Sequence, residues 1–186
     1  FTACSVVRLV SSVETTNNSV VWDDVDYYEE DGVRLDFLPN SGSPGFATNI
    51  GDYYGFSNDV IHCHWDSGGI GAVEMVEITK IGGGTFDLNF FTLTSHTDVG
   101  GGFASGNEQA YVQGYNGVTP SGAPVLLPSQ DWGFPGVVVP LGTDFDGVDR
   151  VVFYAANYID CFGMDNFFID EVPAPSAAAL VPIGAV

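Results

Sequence analysis

Residues 149–186 read DRVVFYAANYIDCFGMDNFFIDEVPAPSAAALVPIGAV: two apolar strands, a proline-marked exit and a small apolar tail. Val151–Ala155 and Met164–Asp170 are rich in the β-branched and aromatic side chains that suit a pleated surface, with Cys161-Phe162-Gly163 leading into the second run. After Val172-Pro173-Ala174-Pro175-Ser176 every remaining side chain is apolar or small. The stretch therefore closes a β domain near Asp170 and passes to something else. The expected organisation is an N-terminal extension or first strand over 1–18, a sandwich domain over 19–171, and a linker with an apolar tail over 172–186.

Working back from this closure, strand signals recur every ten to fifteen residues. Val33, Leu35 and Phe37 alternate with Arg34 and Asp36, as on a half-buried strand. Val73–Ile78 alternates too, and Thr85–Leu93 is the longest strand candidate. Gln109–Tyr115 ends at an Asn116-Gly117 turn, and Val118–Pro135 reads as a long, proline-rich crossover. Val137–Leu141 resumes the sheet. A helix over Ser67–Val76 is disfavoured by glycines at 68, 69 and 71. The 24 glycines, 10 prolines, 14 phenylalanines and 8 tyrosines fit many short strands joined by tight turns. This spacing predicts an all-β fold: an antiparallel β-sandwich of jelly-roll type, with an up-and-down barrel as the alternative. No repeat period points to a propeller or solenoid.

The charge narrows the partners. Four Lys and Arg against 24 Asp and Glu give a net charge of −20, a field that repels nucleic-acid phosphates and anionic lipid surfaces. Neither nucleic acid nor a membrane surface is an expected partner. Catalysis has no sequence support. Ser57, Ser67 and Ser95 lie outside any G-x-S-x-G turn, and with so many carboxylates an acidic pair carries no information. The Gly100-Gly101-Gly102 run is a turn, since no Lys-Ser/Thr follows it as in a phosphate-binding loop.

His62 and His64, two apart on a strand, would share a face, a spacing open to zinc or copper as well as to a plain polar face. A third ligand would come from elsewhere, with His96 and the carboxylates available. Of the three cysteines, Cys63 and Cys161 lie in strand-like apolar surroundings, so the expected disulfide is Cys63–Cys161, with Cys4 left over.

The ordered motifs Trp22-Asp23-Asp24, Glu30-Asp31-Gly32-Val33, Gly83-Gly84-Thr85-Phe86-Asp87-Leu88 and Val112-Gln113-Gly114-Tyr115-Asn116-Gly117 form a series. It continues with Phe145-Asp146-Gly147-Val148-Asp149-Arg150-Val151-Val152-Phe153 and Gly163-Met164-Asp165-Asn166. This series resembles the exported β-sandwich domains of bacterial PEP-CTERM proteins. Val172-Pro173-Ala174-Pro175-Ser176 resembles their Val-Pro-Glu-Pro-Ser sorting signal, with Ala174 in place of the acidic residue. The family signal continues into a full membrane span and a basic cluster, whereas Ala177–Val186 is only ten residues and includes Pro182.

The resemblance implies export to the cell surface or extracellular matrix, with any membrane attachment through the sorting tail. It implies a non-enzymatic role, binding polysaccharide or self-associating. The alternatives are a filament or sheath subunit docking through Ser5–Val10 and Ala177–Val186, and, behind it, a secreted carbohydrate-active enzyme. By resemblance to jelly-roll carbohydrate modules, Tyr53, Tyr54, Trp65 and Trp132 would stack on sugar rings beside Asp52, Asn58, Asp66 and Gln130. By the same resemblance a structural calcium would join Asp23 or Asp24 to Asp165 across the first and last strands.

Overall fold

The computed structural model describes residues 6–7, 20–22, 27–30, 32–38, 48–51, 54, 60–68 and 73–170. The tail over 172–186 lies outside them. Among the described residues there are two antiparallel sheets, two 3-10 turns at Asp66–Gly68 and Thr143–Phe145, and no helix long and apolar enough to cross a membrane.

The first sheet runs, in spatial order, β11 (Val137–Pro140), β8 (Leu88–Thr97), β13 (Cys161–Ile169), β6 (Val60–His64), β5 (Thr48–Gly51) and β2 (Val20–Trp22). A short β1 (Val6–Val7) pairs with Phe167 and Phe168 of β13. The second runs β10 (Thr119–Leu126), β9 (Ala110–Asn116), β12 (Arg150–Ala155), β7 (Met75–Lys80), β4 (Val33–Leu38) and β3 (Tyr27–Glu30). From β6 to β9 the chain alternates between the sheets. From β10 to β13 it retraces them in reverse, so that β11 lies against β8, β12 against β7 and β13 against β6. The last strand among the described residues thereby sits in the middle of the first sheet, between β8 and β6.

Period-two alternation places the core between the sheets. On β4, Val33, Leu35 and Phe37 are buried while Arg34, Asp36 and Leu38 are half-buried, as the sequence predicts. Phe91 of the first sheet meets Phe153 of the second edge-to-face at 5.1 Å, and Trp65, Phe86, Phe145, Phe162 and Phe167 complete the aromatic interior. Each such side chain contributes roughly 1.5–3 kcal/mol by leaving water.

Three expectations are corrected. The longest strand is β8, ten residues, but it spans Leu88–Thr97 rather than Thr85–Leu93. Phe86 instead forms a single bridge to Val148. Val118–Pro135 is not all crossover: Thr119–Leu126 folds back on β9 as β10. Pro120 and Pro124 are compatible with a strand there because β10 is a sheet edge, where a missing N–H leaves no neighbour unsatisfied.

The third correction concerns Cys63–Cys161. Both thiols are free and buried. Cys63 stands opposite Phe162 and Cys161 opposite His64 on the β6–β13 ladder, so the two side chains leave opposite faces of the sheet and cannot be bridged.

Candidate functional site

Alternation along β6 sends Ile61, Cys63 and Trp65 into the core and His62 and His64 to the outer face of the first sheet. On β13 the same face carries Cys161, opposite His64, and Gly163, opposite His62. On β8 it carries Thr97, opposite Cys161, and Ser95, opposite Gly163. An outer face is ordinarily wet. Here His62, Thr94, Ser95 and Thr97 are fully buried, and His64, Asp160 and Cys161 nearly so.

The cover is the loop after β8 (98–109) and the loop before β11 (127–136), together with Tyr54. Residues 130–133 lie along β8 through His96 N–H to Gln130 O (2.9 Å) and Gly133 N–H to Thr94 O (2.9 Å). Tyr54 is the keystone of this roof. Its ring meets Trp132, Phe134 and His62 edge-on, at 4.7, 5.5 and 5.8 Å. Its hydroxyl shares hydrogen bonds with His62 Nδ1 (3.0 Å) and Thr94 Oγ1 (3.1 Å). Gly163 makes that approach feasible: a Cβ there would collide with the Tyr54 hydroxyl and Thr94 Oγ1 and lie 3.2 Å from His62 Nδ1.

The polar groups under the roof form one cluster. The His62 and His64 rings are 5.1 Å apart. His64 Nδ1 donates to Asp160 Oδ1 at 3.1 Å and lies 3.8 Å from Cys161 Sγ. One donor atom each from His62, His64 and Cys161 fall within 4.8 Å of one another. Burial, and then the neighbouring His64, push the His62 pKa well below the ordinary imidazole value, so that ring is neutral. Burial pushes the Cys161 thiol up to about 11, against hydrogen bonds with the Gly101 backbone and Thr97 side chain that favour the thiolate. Gly100 approaches so closely that a Cβ would lie 2.6 Å from Asp160 Oδ2, so the glycine run read as a turn also seals this site.

His96, named beforehand as an available third ligand, does not join. It pairs with Phe162 and packs edge-on to that core ring. Its Nδ1 donates to Pro128 O (2.9 Å) and its Nε2 accepts from Ala110 N–H (3.2 Å). Both nitrogens are occupied structurally. The third potential donor beside His62 and His64 is Cys161, a residue not weighed for that place from sequence.

The expected sugar platform is not assembled as such. Trp65 is wholly inside the core, tilted against Phe162, and Tyr54 is buried in the roof. Trp132 is half-buried beside it, and Tyr53 lies outside the described residues. Tyr54 and Trp65 therefore offer no face to a sugar ring. For the expected calcium site, Asp23 and Asp24 lie outside the described residues. Asp165 is buried, its oxygens accepting from Asn166 N–H (2.7 Å) and Asn166 Nδ2 (2.6 Å), an arrangement that supports the turn-like backbone of Asn166.

The outer face of the second sheet is different and was not singled out from sequence. It carries Tyr111, Tyr115 and Tyr154 from neighbouring strands β9 and β12, with Tyr111 and Tyr154 stacked at 5.6 Å. Burial, then Tyr115 and Tyr111, push the Tyr154 pKa up. Arg150 lies over the Tyr115 ring at 4.5 Å and pairs with Glu77 at 3.1 Å. Further along, Arg34 lies over Tyr27 at 3.9 Å and pairs with Asp36 and Glu29. The signal in the sequence is Tyr111 and Tyr115, four apart and so on one face of a strand.

Compared with protein-family models, with curated proteins and with solved structures, the chain matches none.

Proposed function

We propose that this chain is an exported, non-enzymatic β-sandwich of the cell surface or extracellular matrix that binds polysaccharide through the open face of its second sheet. The observation that carries the reading is the row Tyr111, Tyr154 and Tyr115 with the Arg150–Glu77 pair beside it. Tyrosine offers an apolar ring for sugar C–H groups and a hydroxyl for sugar oxygens, and the guanidinium and carboxylate add fixed donors and acceptors. The strand order supports a jelly-roll reading, since β10–β13 retrace β6–β9 between the two sheets. The resemblance to PEP-CTERM proteins supports export.

The filament alternative sends the first strand to a neighbouring subunit. Here β1 is hydrogen-bonded to β13 of its own chain, which favours a self-contained domain. Affinity electrophoresis through gels containing soluble polysaccharides tests the proposal. Retardation by at least one polysaccharide should fall roughly tenfold in Tyr154→Ala and Tyr115→Ala and be unchanged in Trp132→Ala. Loss in Trp132→Ala alone would move the site to the roof, and absence of retardation across neutral and acidic polysaccharides would overturn the reading.

A further inference from the structure

We propose that His62, His64 and Cys161 form a transition-metal site of the zinc and copper class, enclosed beneath the loops that leave β8 and lead into β11. The donor set is the first argument. Two imidazoles and one thiolate are a combination that zinc and copper take and that calcium and magnesium, which require oxygen, do not. The three donors come from two adjacent strands whose register is fixed by the β6–β13 ladder, so the sheet itself sets their spacing. One donor atom from each of the three residues lies within 4.8 Å of the other two, against the roughly 3–4 Å between donors in a tetrahedral shell. Small side-chain adjustments would bring them to bonding distance.

The surroundings are the second argument. Metal-bound histidines are commonly oriented by a carboxylate or another polar partner on the ring, and here Asp160 holds His64 while Tyr54 holds His62.

Burial is the third argument. Enclosing two imidazoles, a thiol and a carboxylate costs more than enclosing valines, and the inner face of the same strand shows that the sandwich has apolar residues to use. A bound cation would offset that cost and tie β6 to β13 directly beneath the roof. His64, 9 % exposed, is the member nearest solvent. The net charge of −20 concentrates cations around the molecule.

The test uses the full chain, stripped with chelator and titrated with cobalt(II) as a coloured substitute for zinc. The expected result is one equivalent bound with a thiolate-to-cobalt charge-transfer band in the near ultraviolet, displaced by zinc(II) and accompanied by a rise in Tm. Copper(II) in a parallel titration separates the two metals: an intense visible thiolate-to-copper band with tighter binding assigns copper, and zinc competing it away assigns zinc. Cys161→Ser should abolish the band and weaken zinc binding at least about 100-fold, whereas Cys63→Ser, a thiol on the other face, should retain it.

Absence of the band in the wild-type chain overturns the proposal, as does a band that survives in Cys161→Ser. Cobalt taken up without the band or a Tm shift is binding to the acidic surface and also overturns it. If Cys161→Ser does not fold by far-ultraviolet circular dichroism, His64→Gln serves as the second variant, and the wild-type titration already decides.

Discussion

The two outer faces of this sandwich follow the same alternation and meet opposite fates. On the second sheet, Arg34, Asp36, Glu77, Arg150 and the tyrosines stand in or beside water, with Arg34–Glu29 and Arg150–Glu77 paired across strands. On the first sheet, His62, His64, Thr94, Ser95 and Thr97 are shut under a loop. The second sheet can accept substitutions one side chain at a time. The first packs its polar groups against one another beneath the roof, where Ser95 Oγ is buried with no hydrogen-bond partner. Strand periodicity decides which side chains leave the core. A distant segment, here Tyr54 and residues 129–136, decides whether leaving the core means reaching solvent.

If that contrast is right, the most damaging change is at Gly163. Gly163→Ala places a methyl group where the Tyr54 hydroxyl, Thr94 Oγ1 and His62 Nδ1 converge. Overpacking and the loss of a buried hydrogen-bond triangle should together cost about 3 kcal/mol or more, roughly 6–12 °C in Tm for a chain of this length. Chemical denaturation with tryptophan fluorescence reads both the stability and the environment of Trp132. A change under about 1 kcal/mol would show that the roof gives way freely, and the two faces would then differ less than their burial suggests.

Glu108 gives a second, intermediate effect, because it pins the two ends of the roof together. Its carboxylate accepts from Ser105 N–H (2.5 Å) and Gly106 N–H (3.0 Å) on one side and from Ser129 Oγ (2.5 Å) on the other. Burial pushes its pKa up, but the Ser129 hydroxyl and the backbone N–H groups outweigh that and hold it down at about 2. A carboxylate with a depressed folded pKa stabilises fully above its unfolded value, and that contribution is lost as pH falls from about 4.5 to about 2. Glu108→Gln should therefore cost about 1–3 kcal/mol at neutral pH, with the difference from wild type shrinking across that acid window. Urea midpoints measured at successive pH values check this. A difference that stays constant to pH 2 would mean that the charge is not what holds the roof.

Much of the fold was legible because it rests on local patterns. Val33–Leu38 shows its buried face by alternation alone, and the closing strands cover their apolar runs, although β13 begins at Cys161, three residues before the run expected from Met164. The edge strand β10 was hidden by Pro120 and Pro124, whose cost depends on having no neighbour on one side, a fact of the whole sheet. The candidate site was half legible. His62 and His64 announce a shared face, but Cys161 joins them only through the pairing of β13 with β6, across almost a hundred residues. The disulfide failed for the same reason: similar apolar surroundings for Cys63 and Cys161 do not reveal that the two point to opposite sides. The role of Tyr54 was least legible, since a loop aromatic looks alike whether it meets a sugar or a buried histidine.

The smallest effect belongs to the open face. Arg150 and Glu77 are 32 % and 20 % exposed, 3.1 Å apart, and Arg150 also donates to Gly117 O at 3.3 Å. Water screens the pair, and Arg150 Nε, buried with no hydrogen-bond partner, subtracts from what the charge contact gains. A double-mutant cycle of Arg150→Met and Glu77→Gln should yield a coupling below about 1 kcal/mol, decreasing as salt is raised from 0.05 to about 0.5 M. The cycle isolates the pair because the stem of methionine retains the apolar contact with Tyr115. A salt-insensitive coupling above about 2 kcal/mol belongs to a desolvated pair. That value would mean the second sheet is covered in solution, by a copy of the chain or by its own end segments, and that neither outer face of the sandwich is open.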